Sequence, residues 1–402
     1  MRWWVVAWHG QSRRERRSSG TILPEAMRHV CYVSGTRADF GLMRSTLEAI
    51  AAAPDLRLSV LATGMHLSPL YGETVREIEE AGLAILARVP VPLDPPTGAT
   101  MGRNIGTMVA AFTDALEQAR PDLALLLGDR GEMLAGALAA IHLNIPVAHI
   151  HGGERSGTVD EPIRHAISKL SHLHFTATDE ARERLIRMGE REDRIFVTGA
   201  PGLDSLTDAP LPDRAAFMAD HGLDAGQPFA LFVFHPVLQE ADRARADTEA
   251  VLDALCGAGL QILALMPNSD AGSAGVREAL QQAEGRKGIV VLTHMPRPEF
   301  VAAMAHADLM AGNSSAGIIE AASFGTPVLN VGRRQTLRGR NANVCDVPAD
   351  AGAMREAVDA LLSGGRFPAA NVYGDGKAGE RIVRLLVQLP LDADLLHKVN
   401  GY

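Results

Sequence analysis

The chain has 402 residues, 47% of them hydrophobic and 22% charged, with a formal net charge of -9. That is more length than one hydrophobic core usually organises, so two domains with a cleft between them are expected. The acidic balance gives no global attraction to nucleic acid or anionic lipid, so any anionic ligand must be held by local groups.

At the N-terminus, the apolar run Met1–Ala7 is followed by Arg13–Arg17, the reverse of the charge order in an export signal. No later run is long and uncharged enough to span a bilayer, so a cytoplasmic protein without membrane contact is expected. The first credible strand begins just after Met27. Met27 is therefore the expected native start, with residues 1–27 a non-native or disordered extension. Cys31, Cys256 and Cys345 are odd in number, far apart and without a paired-ligand spacing, which points to packing roles rather than a disulfide frame or zinc site.

From His29 short apolar runs alternate with amphipathic stretches, the pattern of a parallel sheet wrapped by helices. Strands are expected at His29–Ser34, Arg57–Ala62, Ala84–Val89, Leu123–Leu127, Val147–Ile150, Leu173–Thr176 and Ile195–Thr198. Helices are expected between them at Leu42–Ala52, Glu73–Ala81, Ile105–Ala119 and Met133–Ile141. The loop Pro90–Met101 is long and Pro-rich, which fits either a functional lid or a plain surface loop. A polar stretch, Leu206–Arg214, then precedes a second alternation with strands at Phe229–Phe234, Gln261–Met266, Ile289–Leu292, Leu309–Ala311 and Val328–Asn330. The fold class expected is α/β, two Rossmann-like domains over 28–205 and 206–365. Residues 366–402, with a helix at Ala378–Leu389, would return to the first domain.

Ligands of open α/β sheets sit beyond the carboxyl ends of the strands, so the residues just after each strand are the candidates. Gly35 permits close backbone approach and Arg37 offers a planar fork for a phosphate, although the run fits a structural turn equally well. Asp129 and Arg130 follow the strand Leu123–Leu127; taken alone Asp129 fits a helix N-cap better, and it is also a candidate acid or base. The densest signal is His149–His165. There Gly152 and Gly153 let the main chain pass close to a ligand, and Asp160 and Arg164 can share a helix face. His149 and His151 would share one face of an extended strand, but no third ligand stands at a metal-binding spacing, so no metal site is indicated. His235 ends the strand Phe229–Phe234, where it can bind a diphosphate, exchange a proton or merely cap backbone groups. Asn313, Ser314 and Ser315 form a helix start suited to a diphosphate, Glu320 can accept from ribose hydroxyls, and Arg334 adds positive charge at the same edge.

Taken together, these junctions resemble the hydrolysing UDP-N-acetylglucosamine 2-epimerase family over about Arg28–Leu389. The resemblance implies a GT-B type arrangement of two Rossmann-like domains, an interdomain cleft, a nucleotide-sugar substrate, no cofactor, and a homo-oligomer, dimer or tetramer. It also implies the reaction: anti elimination of the nucleotide to a 2-acetamidoglycal, then hydration with inversion at C2, giving free N-acetylmannosamine and UDP for nonulosonic (sialic-type) acid biosynthesis. Asp129, Asp160 and Arg164 carry over to the catalytic cluster and His235 to a cleft-facing histidine. Ser314, Ser315, Glu320 and Arg334 carry over to nucleotide binding, with Arg37 near the diphosphate. His151 stands where the best-known members have a glutamate, so His151 or Glu154 is expected to take over proton transfer. A related branch reading His-Ile-His-Gly-Gly-Glu, as His149–Glu154 does here, acts on UDP- or GDP-linked 2,4-diacetamido-2,4,6-trideoxyglucose and is the second substrate class the resemblance implies. The same architecture also fits a non-hydrolysing 2-epimerase, a glycosyltransferase and a non-catalytic nucleotide-sugar-binding regulator.

Overall fold

Leu123–Leu127 and Phe229–Val233 are apolar at every position and buried throughout. A strand that is hydrophobic on both faces needs helices on both, which is what a parallel sheet provides. The computed structural model describes residues 27–208 and 210–402, so the expectation for residues 1–26 lies outside the described residues. It contains two such sheets.

In the first, β1 (Arg28–Ser34), β2 (Leu56–Thr63), β3 (Ile85–Val89), β4 (Leu123–Leu127), β5 (Val147–Ile150), β6 (Leu173–Thr176) and β7 (Ile195–Val197) run parallel in the order β3-β2-β1-β4-β5-β6-β7. In the second, β8 (Phe229–Val233), β9 (Gln261–Leu265), β10 (Ile289–Leu292), β11 (Leu309–Gly312), β12 (Val328–Val331) and β13 (Val344–Val347) run parallel in the order β10-β9-β8-β11-β12-β13. The order reverses between β1 and β4 and again between β8 and β11. At such a switch point neighbouring loops diverge to opposite faces and leave a crevice beyond the strand ends. The two Rossmann-like domains expected from the sequence are thus present, and one cleft is lined by residues from both crevices.

Two local expectations are corrected. The loop after β3 is shorter than Pro90–Met101, because a helix already starts at Gly98, where the Thr97 side chain caps Thr100 N–H at 3.2 Å. Gly98 and Thr100, weak helix formers, hide that first turn from a propensity reading. The strand β13 was not expected. Val344 and Cys345 are half-buried and Asp346 is exposed, so the run lacks a strong apolar signature. Its pairing with β12 and a hydrogen bond from Asn330 Nδ2 to Asp346 at 2.6 Å define it.

The chain ends on the first domain. Ile382 and Leu386 of the helix Ala378–Gln388, with Leu395, are buried among Leu47 and Ile50 of the helix Arg37–Ala52. Asp204 accepts the N–H of Ala378 at 2.9 Å, anchoring the start of that returning helix. No helix among the described residues is long and apolar enough to cross a membrane.

Candidate active site

On the first domain, the turn after β4 is built by Gly128, whose φ of 79° falls in the left-handed region that glycine tolerates. It delivers Asp129 to the cleft, where the carboxylate accepts from Arg164, a fully buried side chain on the helix Asp160–Leu170. Arg164 also donates to Glu154 O (3.2 Å) and Ser156 Oγ (3.3 Å), so it ties the β4 and β5 loops together. Asp160 and Arg164, four residues apart on that helix, do not pair with each other. Arg164 turns to Asp129, and Asp160 faces Arg334 of the second domain, with Nη2 at 3.7 Å.

His149 and His151 do not share a face. His149 is fully buried, with Nε2 at 2.7 Å from Gly128 O and Nδ1 at 3.0 Å from Ser168 Oγ. A carbonyl only accepts, so Nε2 carries the proton and Nδ1 accepts from the serine. Burial pushes this imidazole down to about 3, so it is neutral and positions the turn that carries Asp129. His151 has a left-handed φ of 63°, which ends the strand alternation and places its ring on the cleft wall. Its Nδ1 contacts Glu154 Oε1, and the other oxygen of Glu154 is held by Arg338 of the second domain. Burial alone would raise the Glu154 pKa, but His151 and Arg338 overcome it and hold the carboxyl at about 2. A carboxylate only accepts, so Nδ1–H of His151 donates to Glu154 and Nε2 is the ring nitrogen left toward the cleft.

Gly152 and Gly153 serve protein packing rather than ligand approach. A Cβ on Gly152 would lie 2.9 Å from Ser168 Oγ, and one on Gly153 would lie 2.3 Å from the carbonyl of Ala181. Gly35 is similar: its missing side chain makes room for Glu132, whose Cγ would be 2.7 Å away.

On the second domain, the strand-end loops after β8 and β11 are joined by neutral hydrogen bonds. The backbone of His235 exchanges two hydrogen bonds with the Asn313 side chain, N–H to Oδ1 and Nδ2 to O, both 2.8 Å. Its Nδ1 accepts from Asn268 N–H at 3.4 Å, and burial lowers its pKa to about 3. The ring is thus neutral with its proton on Nε2, a donor rather than a base. Ser314 caps Ala316 N–H at 3.3 Å, and Arg334 donates to Asn313 O at 3.1 Å. Glu320 is buried and engaged by Arg297, a residue to which no sequence pattern pointed.

Arg37 and Arg130 reach across from the first domain. Arg37 Nη1 lies 2.7 Å from His294 Nδ1 and 3.1 Å from Thr293 O. Arg130 stands between Glu132 and Asp270, each at 3.3 Å. Burial opposes its charge, but Glu132 and then Asp270 overcome that and raise its pKa.

Of the candidates, Arg37, Asp129, Arg130, His151, Asp160, Arg164, His235, Ser314, Ser315, Glu320 and Arg334 line one cleft. Glu154 and Asn313 stand one layer behind, bonded to His151 and His235, and Gly35 lies outside the lining. Arg338, like Arg297, lines the cleft without having been singled out from the sequence. It sits in the run Arg333–Arg340, whose charge density was legible but resembled a solvated surface.

The chain matches the family model described as UDP-N-acetylglucosamine 2-epimerase over residues 48–387. The chain belongs to the UDP-N-acetylglucosamine 2-epimerase family. Among its relatives, the enzyme is 47% identical over 376 residues to the UDP-N,N'-diacetylbacillosamine 2-epimerase (hydrolyzing) of Legionella pneumophila, covering 94% of this chain and 100% of that one. It is 34% identical over 351 residues to a UDP-N-acetylglucosamine 2-epimerase of Neisseria meningitidis, covering 87% and 92%. Its fold is shared with a crystal structure of a Neisseria meningitidis UDP-GlcNAc 2-epimerase bound to UDP-GlcNAc, with a TM-score of 0.74, 19% identity, and coverage of 90% of this chain and 100% of that one.

Proposed function

We propose that the enzyme is a hydrolysing 2-epimerase whose sugar nucleotide is UDP-N,N'-diacetylbacillosamine, the substrate named for the Legionella pneumophila relative. The observation that carries the proposal is the His151–Glu154–Arg338 chain, which gives the cleft an imidazole with a free Nε2 and an ionised carboxylate behind it. A hydrogen on C2 is weakly acidic, so elimination needs a positioned base and a cleft that stabilises charge on the ring as C1–O breaks.

In this reading His151 Nε2 removes the C2 proton while the C1–O bond breaks and the nucleoside diphosphate departs with the bonding electrons. Asp129, fixed by Arg164, and Asp160 stabilise positive charge developing on the ring. Water then adds across the C1–C2 double bond, its hydroxyl to C1 and a proton to C2 from the opposite face. That yields the free C2 epimer and UDP. Across the cleft, His235 Nε2–H, Ser314, Ser315 and Arg334 hold the diphosphate, and Arg37 approaches it from the first domain. A neutral donor at His235 suits this task, because it binds the anion without exchanging a proton near neutral pH. A cytosolic, homo-oligomeric enzyme is part of the same proposal, and light scattering of the purified chain tests its oligomeric half.

The test is incubation in deuterated water with UDP-N,N'-diacetylbacillosamine and, separately, UDP-N-acetylglucosamine, followed by proton NMR. Free 2-epimer sugar carrying deuterium at C2, with stoichiometric UDP, is expected from the first and at lower rate from the second. An epimer still attached to UDP would replace the hydrolysing reading. No turnover of either would refute the enzyme assignment.

A further inference from the structure

The Pro-rich loop after β3 remains without a role in that reaction. Together with the helix Gly98–Ala119, it walls a side pocket opening beside Asp129, Arg130 and Asp160, residues that also line the main cleft. Leu93, Met101, Ile105 and Val159 make its surface largely apolar. Asn104, Glu132 and Ser269 are buried polar groups in its lining, with Asp270 of the second domain beside Arg130, and Asn104 is the one on the wall opposite the strand ends. It donates Nδ2 to Pro92 O at 2.6 Å, which fixes the loop and leaves its Oδ1 as an acceptor. Ser314, Ser315, Glu320 and Arg334 take no part in the pocket.

Ring geometry connects this pocket to the substrate. C1 and C4 are opposite corners of a pyranose, so a sugar held through its C1 diphosphate by the second domain points C4 and its neighbour C5 away from the nucleotide. The side pocket opens beside Asp129 and Asp160, which face the ring in that reading, and none of Arg37, His235, Ser314, Ser315 and Arg334, which hold the diphosphate there, lines it. We infer that it receives the C4 and C5 substituents of the sugar and selects a 4-acetamido, 6-deoxy sugar over one bearing a C4 hydroxyl and a C5 hydroxymethyl. The inference rests on the proposed reaction. An apolar wall accepts the C6 methyl and the acetamido methyl, and Asn104 Oδ1 accepts the amide N–H. A hydroxyl set against that apolar wall would lose water without a partner on it, where a methyl loses nothing. Leu93, Met101, Ile105 and Asn104 are then specificity residues, and the loop is a selectivity wall.

Two variants probe this from opposite directions. Met101→Phe fills the pocket, and Leu93→Ala, on the exposed loop and mild for folding, loosens it. For each, kcat/KM is measured on UDP-N,N'-diacetylbacillosamine and on UDP-N-acetylglucosamine, and UDP affinity by calorimetry. The expected result is a loss of about tenfold or more on the diacetamido substrate, the scale of discrimination in an apolar pocket. UDP affinity is expected to hold within about twofold and UDP-N-acetylglucosamine turnover, where measurable, within about threefold. Unchanged turnover of the diacetamido substrate in both variants, or equal losses on both sugars, would overturn the pocket assignment while leaving the reaction standing. Absence of turnover by the wild-type enzyme would overturn the reaction and the pocket assignment together.

Discussion

The loop after β5 and the loop after β11 face each other across the cleft, yet they are built on opposite physical terms. The first is held by buried charge: Glu154 between His151 and Arg338, and Asp129 against Arg164. The second is held by neutral hydrogen bonds, with Asn313 clasping the His235 backbone and both ring and amide uncharged. A proton-transferring wall needs groups whose protonation can change during turnover. A wall that grips a diphosphate needs donors that stay as they are. Arg338 and Arg334, reaching from the second domain to Glu154 and Asp160, complete the charged wall only when the domains are together.

The charged side is the easier one to break. Glu154→Gln removes the anion behind His151 and is expected to lower kcat by about 10²–10⁴, the usual share of a general base, while UDP affinity measured by calorimetry changes little. Retention of more than a tenth of wild-type turnover would remove the His151–Glu154 pair from the proposed mechanism.

Arg164→Ala takes from Asp129 its direct partner, leaving only Arg338 at 3.8 Å, and is expected to cost about 3 kcal/mol of stability, read from urea denaturation. The mechanism is loss of a partner, so Asp129→Asn added to that variant should recover part of the loss. Simple additivity would show that the two side chains are not coupled.

Acid sharpens the comparison, because each wall contains a neutral histidine held at about 3, the buried His149 on one side and the half-buried His235 on the other. The unfolded chain binds these protons near pH 6.5 and the folded one does not. Stability is therefore full above about 6.5 and falls as pH drops toward 3, by about 1.4 kcal/mol per pH unit for each group. Differential scanning calorimetry between pH 7 and 5 should show Tm descending. A flat profile there would mean that these rings are charged in the folded protein.

The neutral wall gives the smallest effect. Asn313→Ala loosens the His235 backbone and is expected to weaken UDP binding about 5–10-fold, the worth of one or two hydrogen bonds, with kcat nearly unchanged. A fall in kcat instead would place His235 in the proton-transfer chemistry.

Much of this architecture was legible in the amino-acid order. Strands such as Leu123–Leu127 and Phe229–Val233 stand out because a strand buried on both faces must be apolar throughout. The rule that ligands lie beyond the strand ends then directed attention to Asp129, His151 and His235. The edge strand Val344–Val347 was not legible, since an edge buries too little to force an apolar pattern. The short first turn at Gly98 was hidden by weak helix formers, and only the Thr97 cap reveals it.

The sequence by itself determined the sheets, their order of appearance and the residue types at each strand end, because these follow from local periodicity and burial. Only the tertiary structure decided which charges meet. Asp160 and Arg164 are helix neighbours but take separate partners, and Glu154 finds Arg338 from the other domain, 184 residues along the chain. Ion pairing falls off over a few ångströms while sequence separation has no such metric, so partner choice is settled by how two domains close on one another.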